Sequence, residues 1–117
     1  MISKIVDVAV IVSDARKAAD WYREKLGFEV GGEAEGHWVV VHPPEGSEGT
    51  HLHLCSDIYP LEPGNTGIGL VTDNLGKTCE TLREKGVDFT VEPKREEWGS
   101  YAMFKDMDGN EFWLFEE

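Results

Sequence analysis

The sequence predicts an α+β fold of two tandem βαβββ modules, and three observations carry that prediction. The chain repeats itself at an offset of 60 residues: Asp14-Ala15-Arg16-Lys17 and Arg23-Glu24-Lys25 are answered by Asn74-Leu75-Gly76-Lys77 and Arg83-Glu84-Lys85. Trp38 is answered by Trp98, and Gly49-Thr50-His51-Leu52-His53-Leu54 by Gly109-Asn110-Glu111-Phe112-Trp113-Leu114. Each half also reads in the same order, a strand, a helix and three strands. Finally, 117 residues make one ordinary domain, whereas either half alone buries too little surface to stand by itself. The seam between two such copies suits a ligand, and the residues that differ between copies are the guide to function.

The elements follow in chain order. Ile5 to Val12 is β-branched and almost continuously apolar, the pattern of a strand buried on both faces. Ser13-Asp14 supplies a helix N-cap. Ala18, Ala19, Trp21, Tyr22 and Leu26 then recur at helical spacing, and Gly27 ends the helix. Phe28-Glu29-Val30 opens a second strand, His37 to His42 forms a third before Pro43-Pro44, and residues 45–49 form a loop. Thr50 to Cys55 alternates strictly and forms the fourth strand. Module 1 spans 1–57, and a linker over 58–65 carries two prolines and a glycine. Module 2 spans 66–117: a strand over Thr66 to Thr72, a helix capped at Asp73 or Asn74 and running to about Lys85, then strands over Val87 to Val91, Ser100 to Lys105 and Asn110 to Phe115. Asp106-Met107-Asp108-Gly109 supplies the turn before the last strand.

Composition excludes several functions. The chain has 23 acidic against 11 basic residues, a net charge of −12. Nucleic acid and anionic membranes would be repelled, so neither is an expected partner. A neutral or cationic small molecule is compatible. Cys55 and Cys79 form no CxxC pair and no disulfide framework. Reduced thiols and the lack of a signal-like N-terminus or membrane-length apolar run give a cytoplasmic expectation.

Two segments carry a family resemblance. Val10-Ile11-Val12-Ser13-Asp14 leads into Trp21-Tyr22-Arg23-Glu24-Lys25-Leu26-Gly27-Phe28, and Phe104-Lys105-Asp106-Met107-Asp108-Gly109-Asn110-Glu111-Phe112 spans the last turn. The first is similar to the strand–helix entry of the vicinal oxygen chelate superfamily, the second to its RDPDGN turn with Met107 where proline is usual. This superfamily includes glyoxalase I, extradiol dioxygenases, fosfomycin-modifying enzymes and bleomycin-resistance proteins. The resemblance covers the whole chain. It implies curved mixed sheets around a central cavity, and a homodimer built from the same modules.

The resemblance also locates the family's metal ligands, which are His, Glu or Gln on the first and last strand of each module. Here those positions are Asp7, His53, Gly67 and Trp113. Glycine donates nothing, and an indole N–H is a donor without a usable lone pair. Two remaining ligands fall short of the three that a catalytic zinc usually keeps. No cofactor is therefore expected. Strand alternation leaves one metal alternative open, because His51 shares a face with His53, and Glu111 with Trp113. Asp7, His51, His53 and Glu111 would then form a displaced mixed nitrogen and oxygen site.

The remaining chemistry is aromatic and acidic. Trp38, Trp98, Trp113, Tyr101 and Phe104 either line a concave ligand site or fill the core. Asp7 interrupts an apolar strand, and His53 is its natural partner if the first and fourth strands are neighbours. Such a pair orients an imidazole as a base or serves structure alone. Cys55 shares the His53 face, and His37 and His42 receive no role. The ligand-binding set is Asp7, His53, Trp98 and Trp113. The expected function is binding of a small molecule without the usual metal, similar to bleomycin-resistance proteins. The alternative is a glyoxalase-type lyase, isomerase or dioxygenase with the rearranged metal site.

Overall fold

The computed structural model describes residues 1, 7–34, 36–44, 50–56 and 62–116, and for residues 7, 33 and 34 the backbone alone. The predicted loop over 45–49 and the first half of the predicted linker, 58–61, lie outside these residues. The chain forms two compact units, Met1–Pro63 and Gly64–Glu117. Among the described residues no helix is long and apolar enough to cross a membrane.

The first unit runs β1 (Asp7–Ile11), α1 (Ala15–Leu26), β2 (Glu29–Ala34), β3 (Trp38–His42) and β4 (His51–Cys55). Its sheet has the order β1-β4-β3-β2, with β1 parallel to β4 and the other pairs antiparallel. Asp14 caps α1 by accepting from the Lys17 N–H at 3.1 Å, and the Gly27 N–H closes the other end on the Arg23 carbonyl. Ala15, Ala18, Ala19 and Tyr22 form the buried stripe of the helix. They face the sheet side that carries Val10, Val39, Val41, Leu52 and Leu54, all buried. The predicted two-sided burial of the first strand does not hold, since Ala9 is exposed. β1 is an edge strand, with Val10 buried on one face and Ala9 exposed on the other.

The second unit repeats the plan: β5 (Asn65–Thr72), α2 (Leu75–Glu84), β6 (Asp88–Glu96), β7 (Gly99–Lys105) and β8 (Glu111–Glu116). Its order is β5-β8-β7-β6, again with one parallel pair, β5 with β8. Two mixed four-stranded sheets in tandem βαβββ modules confirm the predicted fold class. β6 runs five residues beyond the predicted Val91 end, to Glu96. Pro93 is tolerated because β6 is an edge strand whose register shifts between Val91 and Lys94.

The repeat offset is not constant. β4 and β8 lie 60 residues apart, His51 answering Glu111. The preceding strands lie 63 apart, because Val40 is the partner of His53 and Met103 of Trp113. Eight residues separate His42 from His51 but five separate Lys105 from Glu111. The counterpart of Trp38 is therefore Tyr101, and Trp98 is not its equivalent as the sequence repeat suggested.

Candidate functional site

In each unit the helix covers one sheet face and leaves the other to carry functional side chains. On β4, Leu52 and Leu54 are buried towards α1 while His51 and His53 are half-buried on the opposite face. The Trp38 ring meets His53 edge-on, with centroids 5.0 Å apart and planes at 83°. His42 stacks on His51 at 4.9 Å and 28°. His42 is itself buried, and its Nδ1 lies 2.8 Å from the Pro43 carbonyl oxygen. A Cβ at Gly31 would come within 3.3 Å of both the His42 Cδ2 and the Val40 Cγ1, so the glycine makes room for the His42 ring. Sequence reasoning gave His42 no role. Counting by twos from Trp38 puts it on the functional face, but only the β3–β4 register reveals that His51 is its neighbour.

The predicted Asp7–His53 partnership meets a different register. Asp7 stands opposite His51, and Ala9 stands opposite His53. The Asp7 carboxylate lies outside the described atoms. Cys55 shares the strand but is fully buried, its thiol donating to the His53 carbonyl at 3.3 Å.

The second unit carries a different surface. Glu111, Trp113 and Phe115 line one face of β8, while Phe112 and Leu114 are buried on the other. Cross-strand register adds Tyr101 opposite Phe115 and Met103 opposite Trp113. Four rings close into a cycle. Trp98 meets Tyr101 at 5.1 Å, Tyr101 meets Trp113 at 5.1 Å, Trp113 stacks on Phe115 at 5.6 Å and 14°, and Phe115 meets Trp98 at 5.8 Å and 66°. Trp98 remains 61% exposed and the neighbouring Val71, opposite Phe115, 62%. Lys94 lies over the edge of this group, 5.5 Å from the Tyr101 centroid and 3.3 Å from a Glu96 carboxylate oxygen. The Tyr101 hydroxyl and then Glu96 hold its ammonium above the ordinary lysine value. Phe104, by contrast, is core: it is buried against Phe112 and Phe89.

Backbone features position these rings. Trp113 lies beside Gly69 in the parallel pair, and a Cβ at that glycine would stand 2.6 Å from the Phe115 ring. Gly67 sits in a bulge where the register jumps from Asn65 to Ile68, with φ 70°, a conformation that suits glycine. The bulge is pinned: the Thr66 hydroxyl donates to the Glu111 carbonyl at 2.7 Å, and the Asn65 side-chain amide donates to the Glu111 carboxylate at 3.2 Å. The Asp106-to-Asn110 turn holds the start of β8. Asp106 accepts from the Asp108 and Asn110 backbone N–H groups at 2.8 Å and from the Asn110 amide at 3.0 Å. Asn110 in turn accepts from the Gly64 N–H at 3.0 Å.

The family's metal does not fit the second unit. The Gly67 position is a side-chain-free bulge, and the Trp113 position holds a ring packed among rings, with no lone pair to give. Among the described residues, no three His, Cys, Asp or Glu side chains are grouped to hold an ion. Of the alternative set, His51 and His53 belong to the first unit and Glu111 to the second.

Known proteins share this architecture. The chain is 35% identical to the uncharacterized protein YetH of Bacillus subtilis, over 99% of this chain and all of that one. A solved member of the glyoxalase, bleomycin resistance and dioxygenase superfamily from Sphaerobacter thermophilus matches 99% of this chain and 98% of its own, at 37% identity and a TM-score of 0.88. TnmS3, an antibiotic binding protein from Streptomyces sp. CB03234, matches at 37% identity and a TM-score of 0.86, covering 98% of this chain and 96% of its own. The sequence model of one family spans residues 4–114. The chain belongs to the Glyoxalase/Bleomycin resistance protein/Dioxygenase superfamily.

Proposed function

We propose that this protein binds a small molecule with a planar aromatic part, using the ring-bearing face of its second unit and no metal. The cycle of Trp98, Tyr101, Trp113 and Phe115 carries this reading. Four rings in contact around a cycle, on an otherwise acidic chain, supply stacking surface, and aromatic pairs add about 0.5–1.5 kcal/mol beyond their buried area. Trp113 stands where a metal ligand would stand in the family's enzymes, so the position has changed from coordination to contact. Lys94 and Glu111 provide the polar groups at the margin that orient a ligand. The similarity to an antibiotic binding protein supports the same class of function. Asp7 and His53, the first-unit members of the predicted set, are retained in the proposal as secondary contacts. The reading takes the chain to act in the cytoplasm, where its two thiols would stay reduced, and, as the family resemblance implies, as a homodimer, which analytical ultracentrifugation tests.

Calorimetric titration with proflavine and with metal-free bleomycin, in EDTA and 150 mM salt, tests the function. Saturable binding that survives EDTA and is lost in Trp113→Ala is expected. No binding of either probe, or about one tightly held metal per chain that disappears in His53→Ala, would overturn it. The metal result would direct attention to glyoxalase-type chemistry.

A further inference from the structure

The aromatic cycle is closed in the ligand-free chain. A planar ring inserted between two others needs them roughly 7 Å apart, twice the optimal contact distance of about 3.5 Å. Every neighbouring pair in the cycle stands at 5.1 to 5.8 Å. The four rings fill the space among themselves, and a ligand stacks within the group only if one ring leaves.

Trp98 is the ring placed to leave. Tyr101 is buried, and Trp113 and Phe115 are half-buried within strand β8, whereas Trp98 is 61% exposed. It occupies the two-residue turn Glu97-Trp98 between β6 and β7, outside the ladder. Gly99 follows with φ 144°, a conformation that suits glycine and seats the turn. The indole is held by its two ring contacts, tilted 30° on Tyr101 and edge-on to Phe115. The sequence of the first module does not repeat this tryptophan. Three residues before Tyr101 stands Trp98, while three before its counterpart Trp38 stands Glu35.

We infer that Trp98 is a built-in occupant of the aromatic site: its indole rests where a planar ligand stacks on Tyr101 and meets Phe115 edge-on, and it swings out at the β6–β7 turn to admit that ligand. The inference rests on the proposed binding function and adds how the site is kept shut. An apolar surface that would otherwise face water stays covered until a ligand competes for it, and the apparent affinity carries the cost of opening. Thin, flat ligands that gain more from Tyr101 and Phe115 than the indole does are selected over bulky apolar ones.

The sign of one substitution decides the matter. Proflavine affinity is measured by calorimetry for the wild-type chain, Trp98→Ala, Trp98→Phe and Trp113→Ala, with circular dichroism confirming that each is folded. Losing two ring contacts favours the open site by on the order of tenfold. Trp98→Ala is therefore expected to bind about tenfold tighter than wild type, with Trp98→Phe between them and Trp113→Ala not binding. If Trp98→Ala binds as wild type does or more weakly while Trp113→Ala loses binding, the binding function stands and the inference is overturned. If no variant binds, or Trp113→Ala binds as wild type does, the binding function falls and takes this inference with it.

Discussion

Gly69→Ala tests whether the ring cycle is built by the backbone beneath it. The added Cβ would lie 2.6 Å from Phe115 Cε2 and 3.2 Å from its Cδ2, well inside contact distance, so the Phe115 ring must move. Overpacking of this kind costs typically 1–3 kcal/mol. Phe115 is half-buried and can yield outward, which favours the lower half of that range. In moving, it loosens its stack on Trp113 and its contact with Trp98, about 0.5–1.5 kcal/mol each if lost entirely. Removing a glycine from the unfolded chain returns about 0.4–1 kcal/mol. The net expectation is a loss of about 1–2 kcal/mol. For a chain of this size that lowers Tm by roughly 4–10 °C, with a weakened near-ultraviolet dichroism signal from the coupled rings. Scanning calorimetry reads the first and dichroism the second. The double variant with Phe115→Leu supplies the control, because a narrower side chain relieves the clash and most of the Gly69→Ala penalty should vanish. An unchanged Tm and aromatic spectrum in Gly69→Ala, or an equal penalty with and without Phe115, would refute the reasoning.

Asp106→Ala removes the acceptor of three hydrogen bonds in a buried turn, leaving donors unsatisfied, and should cost about 2–4 kcal/mol in urea unfolding. A loss within 0.5 kcal/mol would show that the turn is held by other means. Asp14→Ala and Asn74→Ala each delete a helix N-cap bond and should cost about 1 kcal/mol apiece, with additive effects because the caps belong to separate helices. Burial pushes the Cys79 thiol up, outweighing the pull of Arg83. Since the folded state then disfavours the thiolate, stability is complete below the unfolded thiol's value and falls as pH rises past it. Iodoacetamide should accordingly label Cys79 far more slowly in the native chain than in urea at pH 8, and equal rates would contradict its burial.

The fold was legible because its signals are local. Asp14 and Asn74 announce caps, Gly27 a stop, and the alternation of Thr50 to Cys55 a half-buried strand. The functional faces were only half legible, because a face is set by pairing between strands. His51 and His53 share a side by simple alternation. That His42 joins them, and that Asp7 stands opposite His51 with Ala9 opposite His53, depend on registers that spacing does not encode. The bulge at Thr66-Gly67 gives Glu111 the partner Asn65 instead of Gly67, the residue that corresponds to Asp7 opposite His51, while Trp113 keeps the first-unit register opposite Gly69. The extended β6 was missed because Pro93 reads as a strand breaker unless the strand is known to lie on an edge.

Correcting the offset turns the two modules into a controlled comparison. The diagonal contact between Trp38 and His53, at 5.0 Å, is reproduced by Tyr101 and Trp113 at 5.1 Å. The stacked pair His42 and His51 is replaced by the cross-strand pair Lys105 and Glu111, and the buried Cys55 by Phe115. Trp38 gives way to Tyr101, another ring, while the imidazoles and the thiol give way to a larger ring or to a charge at the margin, and Trp98 stands in the sequence where the first module has Glu35. The small residues beneath follow suit: Ala9 opposes His53, but only glycine at 69 leaves space for the Phe115 ring beside Trp113. A core that merely drifted would not need both the ring and the vacancy that seats it. The first module keeps side chains able to donate lone pairs, and the second has exchanged them for stacking area, which is why the ligand chemistry proposed above is assigned to the second.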